Sequence, residues 1–286
     1  MDDINSTSLS FIPGWLKIIL EESDEEAKEM SSPWGFKMLG KTLRKIIWNM
    51  CSMMAIETKG VPGQACRLVE RSIVARIKES GNISGTEWDH FKRHLAIRIP
   101  LIMASAVQIA AKMSHASESI KASVIQRVLQ IRGSNYSIEE INQSECEVLK
   151  NLDFRVPIWT SVEVATLLAT EVGMTSEMIS GVELMVDLAE FNRFKLENDM
   201  CITATPSNSS CLMKKRLRTL HLTAGAVMAT VQYYELTGLD PVGKLASITR
   251  VPATFITCIA DFIIKYLDEE DLPYLPMPRK RKFSEV

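Results

Sequence analysis

Apolar residues recur along most of this chain with a period near 3.6, and nowhere do they alternate convincingly as they would in a strand. The pattern predicts helices over 36–58, 62–79, 96–113, 118–131 and 137–152, each bounded by a Gly, Pro, Ser or Asn signal. At Val156-Pro157 the proline ring pushes the preceding residue out of helical geometry. The period then resumes over 160–172, 176–195, 212–237, 241–249 and 252–267. The third helix of each set, LIMASAVQIAAKM at 101–113 and LHLTAGAVMATVQYY at 220–234, is apolar on nearly every face. A helix of that kind needs a partner on all sides, so each should sit at the centre of its set, wrapped by the other four. Small residues (Ala104, Ser105, Ala106, Ala110 and Ala111; Ala224, Gly225, Ala226 and Ala229) let neighbouring backbones come close. The fold class expected is all-α, as two tandem five-helix bundles.

The ends of the chain lack this periodicity. Residues 1–35 read as an acidic tail, EESDEEAKE following FIPGWLKIIL, with at most one short helix. The first bundle is placed at 36–156 and the second at 157–268. Within the second, the polar, proline-interrupted CITATPSNSSC at 201–211 reads as a loop. Residues 269–286, ending PYLPMPRKRKFSEV, form a basic tail.

Charge and composition narrow the function. The chain has 33 basic and 35 acidic residues, a formal charge of −2, so no global field favours nucleic acid and no direct nucleic-acid binding is expected. The most apolar run is broken by Ser105, Gln108 and Lys112, so no membrane helix is expected. The N-terminus has neither a basic n-region nor a small-residue cleavage site, which points to the inside of the cell. Six widely spaced cysteines (Cys51, Cys66, Cys146, Cys201, Cys211 and Cys258) suit buried, reduced thiols rather than a disulfide frame or a zinc knuckle.

Several motifs compete for attention. Gly35, Gly40, Lys41 and Thr42 in GFKMLGKT match the phosphate-loop letters, but an acidic run precedes them where the motif needs a strand, so nucleotide binding is not expected. His90 and His94 have the i, i+4 spacing of a zinc helix, yet HFKRH lacks the glutamate of that motif and no third ligand is evident. The four histidines form no nucleophile–base arrangement, so neither catalysis, cofactor nor metal is expected. KKRLR at 214–218 is placed on a helix with a solvated face. Arg279, Lys280, Arg281 and Lys282 lie in a proline-flanked tail and are a candidate nuclear import signal.

Two stretches carry a resemblance. The third helix ends in Ala110-Ala111-Lys112, and the fifth carries Tyr136, Glu145, Lys150 and Phe154 at the spacing Y-x8-E-x4-K-x3-F. Together with the repeated five-helix plan, these letters resemble the cyclin family over about 36–155; residues 158–268 resemble its second repeat only in helix count and texture. The resemblance implies that Lys112 and Glu145 grip the backbone of a kinase's mobile regulatory helix. The chain would then be a regulatory subunit, not an enzyme, that binds and activates a cyclin-dependent kinase of the type-2-like kind. The VLKNLDFRVPIWTSVE junction and short tails look most like the meiotic crossover cyclins, which implies a nuclear, chromosomal setting in homologous recombination and meiotic crossover proteins as further partners. The rival reading is a cyclin-fold scaffold that binds recombination or transcription proteins without activating a kinase. One departure matters: TLRKIIWNMCSMM keeps Arg44 and Trp48 but not the Met-Arg-x-x-Leu stretch, so docking of Arg-x-Leu substrates is not expected.

Overall fold

Turn and capping chemistry sets many of the helix ends seen in the computed structural model, which describes residues 12–30, 39–56, 59–81, 84–114, 120–203, 217–236, 238 and 240–269. The helices are α1 (Ile12–Met30), α2 (Lys41–Met53), α3 (Val61–Glu79), α4 (Thr86–Met113), α5 (Ala122–Ile131) and α6 (Ile138–Asn151). They continue as α7 (Ser161–Glu171), α8 (Ser176–Phe191), α9 (Arg193–Thr203), α10 (Thr219–Tyr233), α11 (Pro241–Thr249) and α12 (Ala253–Glu269). No strand occurs among the described residues. Gly60 turns the chain into α3 at φ +83, a conformation that suits a residue without a Cβ, and Pro62 follows where a missing N–H leaves no helical bond unmade. At α6 the Ser137 hydroxyl accepts from the Glu140 N–H at 3.1 Å while the Glu140 carboxylate accepts from the Ser137 N–H at 2.7 Å, a reciprocal cap.

The helices fall into two compact units, residues 31–160 and residues 1–30 with 161–286. In the first, α4 touches α2, α3, α5 and α6, and every residue from Leu101 to Ala111 is buried. Its apolarity and length would suit a bilayer, but 61% of its most apolar window is packed inside the protein. α4 begins ten residues earlier than the sequence reading placed it, running through Pro100. The proline removes the N–H that would bond the Ala96 carbonyl, and at the next carbonyl, Ile97, the Tyr136 hydroxyl donates at 2.8 Å. Across α2 and α3 the fully buried Arg44 donates to Glu70 at 2.6 Å and to the Leu39 carbonyl at 3.0 Å, and Glu70 also accepts from the Leu39 N–H at 2.7 Å.

In the second unit α10 is the hub, touching α1, α7, α8, α11 and α12. Gly225 is required there: a Cβ at that position would stand 2.2 Å from the Ile259 methyl on α12. Two elements differ from the sequence reading. The expected N-terminal tail contains a 19-residue helix, α1, whose stripe Ile19, Ser23, Glu26 and Met30 faces the unit. α9 occupies part of the expected loop, with Asp199 accepting from the Tyr266 hydroxyl at 2.9 Å and the Lys195 ammonium 4.3 Å from the centre of the Tyr266 ring. Both attach chiefly through polar groups. Glu26 accepts from Arg193 and from the Thr219 N–H, each at 2.8 Å, joining α1 and α9 to the start of α10. The thiols also differ from expectation: Cys51 and Cys66 are buried, but Cys146 and Cys201 are exposed.

Candidate partner-docking site

The last turn of α4 leaves the core at Lys112. Residues 101–111 are buried, and then the helix ends, so the lysine stem lies along the bundle while its ammonium reaches water beside the helix C-terminus, where a cation is favoured. α6 turns Ile141, Ser144 and Val148 into the core and carries Glu145 on the flank of that face. The two heads meet: Lys112 Nζ donates to Glu145 Oε1 at 2.6 Å, with side-chain exposures of 41% and 14%. The pair is thus accessible on the lysine side and held on the glutamate side. An ammonium has three donors and a carboxylate can accept at both oxygens, so bonding to each other leaves capacity for the carbonyls and N–H groups of a partner backbone.

The other residues of the motif bracket this pair. Lys150 is exposed. Phe154 is 69% exposed and follows Asp153, both with left-handed φ values of +56 and +50, and its N–H donates back to the Leu149 carbonyl at 2.9 Å to close the end of α6. Tyr136 stands at the start of α6, half-buried; burial pushes its hydroxyl above the usual tyrosine value, with Arg98 opposing, so it stays a donor to Ile97.

The rival motifs take other places. Arg44 is fully buried and Trp48 nearly so, so neither presents a docking surface. Gly40 and Lys41 open α2, with no strand among the described residues to aim a phosphate loop; Gly35 lies outside those residues. His90 and His94 are exposed on the first half of α4, and His94 lines an open cleft of about 260 Å³ with Arg76, Glu79, Ser80, Phe91 and Leu95. The Arg76 cation makes that cleft a poor place for a metal, and no cluster of three ligating side chains occurs among the described residues. Of KKRLR, residues 214–216 lie outside the described residues, Leu217 is buried, and Arg218 precedes α10 rather than sitting on it, donating to His221 Nε2 at 3.1 Å. Residues 279–282 also lie outside the described residues.

Comparison with known proteins was made on sequence and on structure. No protein-family model matches the chain. It is 24% identical over 179 residues to the human cyclin N-terminal domain-containing protein 1, an alignment covering 58% of this chain and 53% of that one. With the mouse protein of the same name it is 24% identical over 136 residues, 44% of this chain and 41% of that one. The chain thus spans about half the length of the curated relatives it matches, or less. Among solved structures, the viral cyclin of herpesvirus saimiri superposes with a TM-score of 0.53 at 12% identity, covering 88% of this chain and 97% of the viral one.

Proposed function

We propose that this chain, a cyclin relative with the cyclin fold, is a regulatory subunit that docks on a cyclin-dependent kinase through Lys112 and Glu145. The observation that carries the reading is their 2.6 Å pairing at the surface end of an otherwise buried helix. A folded protein gains little from such a pair alone, since partly exposed ion pairs contribute about 0–1 kcal/mol. As a clamp it has a clear use: the ammonium takes carbonyls, the carboxylate takes N–H groups, and Phe154 offers an apolar anchor. Docking favours the inward position of the kinase's regulatory helix, which completes the lysine–glutamate pair that phosphoryl transfer needs. In this reading the chain supplies no catalytic group of its own.

The setting proposed is the meiotic nucleus, at sites that become crossovers, with a type-2-like kinase and crossover proteins as partners; this rests on the likeness of the 148–163 junction and of the tails to the meiotic crossover cyclins.

Pull-down against a panel of recombinant cyclin-dependent kinases, followed by a histone kinase assay, tests the reading. Lys112→Ala and Glu145→Ala are each expected to weaken association by about 1.5–3 kcal/mol, the range for hydrogen bonds to charged groups. Helical content should be unchanged, and the double variant should lose less than the sum, because the two grip one segment. Undiminished binding by a folded double variant would reject the role and favour a scaffold that binds its partners elsewhere.

A further inference from the structure

α4 and α6 meet through polar side chains spaced by sevens. Arg98, Ser105 and Lys112 share one stripe of α4, because seven residues turn a helix through about 700°, only 20° short of two full turns. At the middle of the stripe the buried Ser105 hydroxyl donates to the Ser144 hydroxyl on α6 at 2.9 Å. From roughly 10 Å along α4 on either side of that crossing, two cations reach in toward α6. Lys112 takes Glu145 at 2.6 Å, and Arg98 takes Glu147 at 2.8 Å. Glu147 is held further: Arg76 on α3 donates to the same oxygen at 3.0 Å, and Gln143 donates to the other at 3.2 Å.

We infer that Glu147 is a positioning residue: gripped by Arg76 and Arg98, it fixes the rotation of α6 and so presents Glu145 to Lys112. The physical reason is the asymmetry of the two grips. The buried Ile141, Ser144 and Val148 hold one face of α6, and the two carboxylates lie on its flanks, where a small roll displaces them most. Glu145 and Glu147 stand about 200° apart around the α6 axis, so a roll that relaxes one contact lifts the other. Lys112 is a single cation on a flexible stem and imposes little orientation, whereas Glu147 is held at both oxygens, by one Nη2 each of Arg76 and Arg98 on the first and by Gln143 on the second. Rigidity at the docking pair is therefore supplied from the opposite side of the helix. The functional meaning rests on the docking reading above; the positioning itself does not.

The test uses the full chain and trace acetylation with limiting acetic anhydride, reading Lys112 by mass spectrometry against the exposed Lys121 as internal reference. Glu145→Gln gives the rate of a released Lys112 ammonium. Glu147→Gln, with helical content confirmed by circular dichroism, is expected to raise Lys112 acetylation by about threefold to tenfold, within the range for residues coupled in one network. An unchanged Lys112 rate in folded Glu147→Gln overturns the inference. Should that variant not fold, Arg98→Gln carries the test: it is expected to raise Lys112 acetylation, and a wild-type rate in the folded variant overturns the inference. Where the wild type captures a kinase, Glu147→Gln should weaken capture by the same factor. Failure of the wild type to capture any kinase would sink the docking reading and leave the positioning role intact, because acetylation reads the free chain.

Discussion

Among the described residues, Arg44 in the first unit and Arg193 in the second have their charge wholly removed from water. Taking an ion into a low-dielectric interior is expensive, and the Arg44–Glu70 contact at 2.6 Å offsets that cost only while both partners are charged. Glu70→Gln should therefore destabilise the 31–160 unit by about 3–5 kcal/mol in chemical denaturation, the range for breaking a buried pair. Arg44→Met with Glu70→Leu should recover most of the loss; a single variant losing under about 1 kcal/mol would show that water relaxes the site. The same residues explain what could be read beforehand. Lys112 and Glu145 were legible because each sits at a fixed place in a local pattern. Arg76, Arg98 and Glu147 were not, since their meeting joins three helices across 71 and 49 residues and leaves no spacing in the sequence.

Helices that bury apolar stripes were visible, and those fixed by polar contacts were not. α3, α6 and α11 lie within a residue or two of their expected ranges because Gly, Pro and Ser mark where hydrogen bonding changes hands. α9 escaped notice because RFKLENDMCIT has no sustained apolar period; Arg193, Leu196, and the contacts of Lys195 and Asp199 with Tyr266 hold it. α1 was read as a tail because its acidic residues mask a sparse apolar stripe, in which Ile19 and Met30 are the buried apolar side chains among the described residues. Its attachment depends on Glu26, which serves Arg193, the Thr219 N–H and the Thr219 hydroxyl. Glu26→Gln should lose about 1.5–3 kcal/mol of that contact, the scale of hydrogen bonds to charged groups. Hydrogen exchange would show it as faster opening of α1 and the first turn of α10, with α4 unchanged; equal protection in both variants would mean that packing alone holds α1.

Two units built on one plan, a small-residue helix ringed by others, follow from the repeated pattern of apolar faces, and that plan was open to sequence reading. The discontinuity of the second unit was not, because membership of a unit is decided by long-range contacts rather than by local period. Import is a property of the whole molecule, and the basic cluster at 279–282 is the signal proposed for it. The cluster lies beyond α12, which ends at Glu269, so deleting 279–286 should leave thermal unfolding nearly unchanged while reducing nuclear accumulation. Unaltered nuclear levels would assign import to a partner or to another signal. The clip between Glu26 and Arg193 also sets an order of events during synthesis. The two residues are 167 positions apart, and all of the 31–160 unit lies between them. At about 5–20 residues per second a ribosome needs roughly ten to thirty seconds to make that stretch. Helix α1 emerges before the whole of the 31–160 unit yet can dock only after Arg193 is made, beside a nascent chain whose middle can already have folded.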